Sequence, residues 1–376
     1  MQTPTRIAYG GRSGAPVALI AATAAVTMMF AATPFLIPAI ADRYGVSEGA
    51  VGAISIAQVG AFAVANFVLP RLFRPSGKIL RYAAMVLLAL NILSIVPSWY
   101  PLLVAIRLVA GFAAGAMTWL TWTNAMKRKR SMSAVAATGP MVALLAAPLM
   151  AVAASHGDQI VYAILAVVTI PSAIFFAPVT GRKRAKGVLS GSRSNRVLLL
   201  ALGALTFFGS ALFINQAIVA RDIHDLSPLA TSLAFSLNAA GGLLGARLST
   251  KHKFPGWFMA SIGPAALITV VGPTYLFYIG MAWWGFAFWM AVPGVLQMLV
   301  DRSLDASERA GDAQGLMAAG RAIGPAMGGY FVDANLLTGL AIISGIGISA
   351  SGLTVVGVKQ GRETLPPTDP GTIDQK

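Results

Sequence analysis

Runs of about 20 apolar residues, the length a helix needs to cross a hydrocarbon core, follow one another along this chain with short polar breaks between them. They fall at 17–41, 47–69, 80–97, 101–126, 133–155, 159–180, 196–220, 227–249, 255–273, 275–299, 309–332 and 336–358. A helix satisfies its own backbone N–H and C=O groups where no water can. The pattern therefore predicts an all-α membrane protein with twelve transmembrane helices. The first run is too long, and leads too directly into the second, to be a cleaved signal segment. Two of the breaks carry helix-start chemistry: Ser47 and Ser227 each suit an N-cap, and Pro228 suits a first turn.

The charged positions orient these spans. With the N-terminus placed in the cytoplasm, 24 of the 28 Lys and Arg residues fall in cytoplasmic segments, as the positive-inside rule requires. Arg43 and Arg221 fall outside, and Arg107 and Arg321 lie within spans. This alternation predicts a multi-pass protein of the cytoplasmic (inner) membrane with both termini in the cytoplasm. The chain is 56% hydrophobic and 11% charged, against about 25% charged in a soluble protein. Its net charge of +15 is then a topology signal that meets anionic lipid headgroups. No basic run is interleaved with aromatics, so nucleic acid is not expected as a partner. The absence of cysteine excludes a disulfide scaffold and a cysteine nucleophile or metal ligand. No cofactor or metal site is expected.

The chain also repeats itself. ADRYGVSEGAVGAIS ends the first span and ARDIHDLSPLATSLA the seventh, with Asp42 and Asp222, and likewise Ser47 and Ser227, 180 residues apart. Ala147-Pro148 in the fifth span is answered 177 residues later by Gly324-Pro325 in the eleventh. Two six-helix halves follow, 1–180 and 197–358, joined by the basic cytoplasmic linker 181–196. The Pro-bearing tail 359–376 is expected to be disordered.

Six plus six spans, parallel halves and a basic central loop resemble the major facilitator superfamily, whose halves are related by an axis along the membrane normal. The fourth-span pattern R-x-x-x-G-x-x-x-G stands clean as Arg107, Gly111 and Gly115, and an antiporter-like pattern G-P-x-x-G-G stands in span eleven as GPAMGG. The loop between spans two and three departs from the family: Arg74 replaces an aspartate and Pro70 a glycine. The resemblance implies a secondary active transporter rather than an enzyme, usually monomeric, binding a small molecule in the membrane. Within the family the chain looks like the drug and sugar efflux group, which implies alternating access and efflux by proton antiport. An importer or uniporter of an organic anion or metabolite, and a non-transporting sensor or scaffold, are the alternatives.

Arg321 sits nine to twelve residues into its span, where a lone charge costs about 2.5–3.5 kcal/mol on insertion scales. It is a candidate for binding an anionic group. No Asp, Glu or His falls in mid-span, so the rest of a binding cavity must be neutral. Gln58, Asn66, Trp119, Trp122, Asn215, Gln216, Asn238 and Trp289 are the candidates. The resemblance gives Arg107 a role in proton movement and substrate binding. Asp42 and Asp222, at matching span ends, are the nearest carboxylates for coupling. Gly111, Gly115, Gly324 and Pro325 allow close packing or a bend where helices gate.

Overall fold

The computed structural model describes residues 15–125, 129–180, 193–248, 254–301 and 306–358. They form thirteen helical segments: α1 (Val17–Tyr44), α2 (Glu48–Leu72), α3 (Gly77–Leu93), α4 (Tyr100–Ala125), α5 (Lys129–Ala154), α6 (Asp158–Ile174), α7 (Arg193–Phe213), α8 (Gln216–Asp222), α9 (Pro228–Leu248), α10 (Pro255–Val271), α11 (Thr274–Asp301), α12 (Ala306–Asp333) and α13 (Leu337–Val356). The short α8 continues α7 as one apolar span, Ser194–Asp222, so the segments amount to twelve helices. Eight spans are long and apolar enough to cross a membrane, and α6 and α10 are shorter apolar helices. The tail 359–376 and the linker up to residue 192 lie outside the described residues; from Arg193 the chain is already helical.

The helix starts follow local chemistry. Ser47 Oγ accepts from Ala50 N at 3.1 Å, and Ser227 Oγ from Ala230 N at 3.3 Å, immediately before α2 and α9. Gly45, at φ 63°, closes α1 in the left-handed conformation that a Cβ would penalise. Some spans are shorter than their apolar runs. α3 ends at Leu93 and α6 at Ile174, and Pro97 and Pro178 lie in the non-helical segments that follow. Leu145, Val167, Leu200 and Ile346 stand exposed on the outside of the bundle, where lipid replaces water as the neighbour of apolar side chains.

Packing follows a repeated scheme. α2 packs on α4, α1 on α5 and α6, and α3 on α4 and α6. In the later part of the chain α9 packs on α11, α7 on α12 and α13, and α10 on α11 and α13. Each contact in the first set has a counterpart about 180 residues later. The two sets meet mainly through α2 against α12 and α5 against α9. Backbone contact explains the small residues. A Cβ built at Gly111 would collide with Gln58 O, and one at Gly285 with Asn238 O, so α4 meets α2, and α11 meets α9, through glycine.

Candidate functional site

Arg107 is 1% exposed, deep in α4. Its Nε donates to Gln58 Oε1 at 2.8 Å, and its Nη1 to Asn91 Oδ1 at 2.9 Å and Ser94 Oγ at 3.3 Å. Its guanidinium carbon lies 5.1 Å from the ring centre of Tyr162. Asn91 Nδ2 in turn donates to Thr169 Oγ1 at 3.3 Å. One arginine thus ties α2, α3, α4 and α6 together. Every acceptor it uses is neutral. Two residues singled out from the sequence, Arg107 and Gln58, are brought into contact. Asn91, Ser94, Tyr162 and Thr169 were missed, although Asn91 interrupts the apolar run LLALNIL and could have been flagged.

Around this network lies a cavity of about 20 Å³, lined by Thr33, Ser55, Gln58, Arg107 and Tyr162 among apolar side chains of α1, α2 and α6. A second, of about 10 Å³, lies between Glu48, Gly49, Gly52, Asn215, Pro325 and Gly329. Each has room for about one water and not for an organic molecule.

Arg321 is half-buried on α12. It makes no hydrogen bond or ion pair among the described residues. Asp312, nine residues earlier on the same helix, stands about 13 Å away along the axis. Ile323 and Tyr330 are 61% and 71% exposed and mark the lipid face of α12. Two residues from Ile323 is roughly 200° around a helix, so Arg321 faces the interior. Pro325, one turn on and on the same face, lines the second cavity. Gly320, Gly324 and Gly328 approach the α7 backbone so closely that a Cβ at any of them would collide.

The remaining candidates divide. Asn215 stands at the break between α7 and α8, lines the second cavity, and donates to Ala211 O at 2.8 Å. Trp289 packs over Gly242 of α9 and lies 3.8 Å from a Cβ built on Gly139 of α5, at the junction of the two sets of helices. An aromatic chain runs beside it: Phe35, Phe235, Phe213 and Trp284, with successive ring centres 5.3–5.5 Å apart. Gln216 instead donates to Thr269 Oγ1 of α10 at 2.9 Å. Asn66 donates to Phe62 O of its own helix at 2.9 Å, and Asn238 to Met281 O of α11 at 2.9 Å. Trp119 is buried and Trp122 half-buried, about 18 and 22 Å along α4 from Arg107. Gly115 meets Phe62 and Ala65 of α2.

The span ends hold ion pairs. Arg43 grips Asp158 through both carboxylate oxygens, at 3.1 and 2.9 Å, and also donates to Ile95 O and Pro97 O. Asp42 is exposed, and the partner of the neighbouring arginine is therefore Asp158, which is 1% exposed. Arg221 binds Asp222 at 2.6 Å and Glu48 at 2.7 and 3.0 Å. This second cluster joins α8 to the start of α2. Asp333, at the end of α12, lies against Gly49 beside it.

The family model described as Major Facilitator Superfamily matches residues 18–329. The chain belongs to that superfamily. Solved structures of superfamily transporters share its fold. The human organic anion transporter MFSD10 (TETRAN) aligns with a TM-score of 0.67 at 15% identity, covering 90% of this chain and 97% of its own. A POT family transporter in complex with thioalcohol conjugated peptide aligns with a TM-score of 0.72 at 11% identity, covering 94% and 98%. No curated protein sequence matches the chain. As a superfamily member it is a multi-pass membrane transporter of a small molecule and not an enzyme.

Proposed function

We propose that the protein is a secondary active transporter for a small organic anion, working by alternating access between two six-helix halves with both termini in the cytoplasm. Arg321 carries this reading: a permanent charge on α12 that faces the interior of the bundle without a carboxylate partner among the described residues. An interior arginine in a transporter marks a substrate or ion path. Neutral amide and aromatic groups elsewhere among the helices, Asn215 on the cavity that Pro325 also lines and Trp289 at the junction of the two sets, fit a substrate with one charged end and an apolar body. The likeness to a protein described as an organic anion transporter points the same way. The repeated packing scheme and the α2–α12 and α5–α9 seams support the two halves and the rocking between them.

Export by proton antiport follows from the resemblance to the efflux group and from energetics. A proton entering in exchange for a departing anion moves two charges with an inside-negative potential, about 4.6 kcal/mol per 100 mV. Proteoliposome flux with anionic, neutral and cationic compounds tests the reading. Anions are expected to move, to be driven by an imposed proton gradient, and to lose at least tenfold in rate in Arg321→Gln. Preferential transport of organic cations, or anion flux unaffected by that substitution, would refute it.

A further inference from the structure

The cavity beside Arg107 is lined by several polar hydrogens that no protein acceptor takes up, on a guanidinium, an amide and two hydroxyls. Arg107 has used Nε and Nη1, while its Nη2 makes no hydrogen bond among the described residues. Gln58 has given its oxygen to Arg107, which turns its amide nitrogen into the free group. Tyr162 is 0% exposed, lines the cavity, and its hydroxyl has no partner. Ser55 is 3% exposed with its hydroxyl likewise unbonded. Thr33 alone is committed, to Met29 O.

The charge is unbalanced as well. Salt bridges at the span ends pair Arg43 and Arg221 with carboxylates, but none reaches Arg107. Neutral acceptors satisfy hydrogen-bond geometry and leave the net positive charge in place. An unneutralised charge out of water is costly even when it is hydrogen-bonded. A water would fill the donors' directions without balancing that charge. A negative group does both. The room available, about 20 Å³, admits a monatomic ion and excludes an organic anion.

We propose that this cavity is a halide site, in which a chloride-sized anion is held by Arg107 and by hydrogen bonds from Tyr162, Ser55 and the amide of Gln58. It lies among α1, α2, α4 and α6, apart from Arg321 on α12. The bound ion neutralises Arg107 and links helices α2, α4 and α6 through a common centre. Binding to the folded state alone raises stability with halide concentration.

The test is thermal unfolding of the purified full chain in sodium chloride or bromide against sodium gluconate of equal ionic strength. The native protein is expected to show a saturable rise in Tm with either halide. Tyr162→Phe keeps the ring and removes the hydroxyl. Loss of a hydrogen bond to a charged group raises the half-saturating halide concentration about tenfold or more. Arg107→Gln abolishes the dependence, and should that variant fail to fold, Tyr162→Phe still decides. Arg321→Ala keeps the halide response, which separates this site from the substrate site. A native protein indifferent to halide, or a Tyr162→Phe variant with unchanged half-saturation, would overturn the proposal. So would a response lost in Arg321→Ala and retained in Tyr162→Phe.

Discussion

Asp158 and Arg43 show what a single pair does in this chain. The carboxylate is 1% exposed and bound through both oxygens, while the guanidinium also holds two carbonyls of the segment after α3. Removing one member of a buried pair leaves the other charge uncompensated, at about 3–5 kcal/mol. Asp158→Ala is expected to show that full loss in reversible unfolding, and Asp158→Asn a smaller one, since the amide oxygen still accepts from Arg43. Because the pair is shielded, moderate salt leaves the difference unchanged. A wild-type stability for Asp158→Ala would show that the pair contributes nothing to the fold. Asp158 is not among the residues that the sequence singles out. A carboxylate at the end of an apolar run reads as solvated, and its partner is 115 positions away. Only the docking of α1 beside α6 makes it buried. Gln216 and Asn66 were equally illegible: an amide in a span announces a need for a partner without saying which helix supplies it. Arg107 and Arg321 were legible because a charge in an apolar run carries its own cost wherever it points.

At the scale of the element, most of the helices could be read directly, since length and hydropathy are local. Ser47 and Ser227 fixed two starts to the residue. The break at Ile214 and Asn215, which divides one apolar run into α7 and α8, carries no glycine or proline and left no local mark. Glycine spacing gave the close helix faces but not their partners. The α2–α4 contact makes a sharp test. A Cβ at Gly111 would run into Gln58 O, whereas one at Gly60, on α2, meets nothing within 4 Å. Gly111→Ala is expected to destabilise by about 1–3 kcal/mol through overpacking. It would also pull Gln58 off Arg107. Gly60→Ala is expected to be neutral or slightly stabilising, since alanine is the better helix former. Equal effects at the two positions would mean that α4 and α2 are not in backbone contact in the membrane.

At the scale of the whole molecule, one ion pair among the described residues joins the two sets of helices, and it lies at one end. Arg221 reaches Glu48 there, and Asp333 lies against Gly49 beside it. If the two sets rock against each other, this cluster holds that end shut. Arg221 is 51% exposed, so salt screens the pair and its worth is about 0.2–1 kcal/mol. Losing 1 kcal/mol changes a two-state ratio about fivefold, which sets the upper limit for Glu48→Gln. The chain has no cysteine, so a single introduced thiol reports alone. Gly52 lines the second cavity and has nothing within 4 Å of an added Cβ, which makes Gly52→Cys a tolerated reporter of opening at that end. Its labelling rate with a charged maleimide is expected to rise severalfold, at most about five, when Glu48→Gln is added. High salt is expected to produce the same rise with Glu48 in place and little further change once it is gone. A labelling rate that ignores both would show that helix packing along α2 and α12, and not this pair, keeps the end closed.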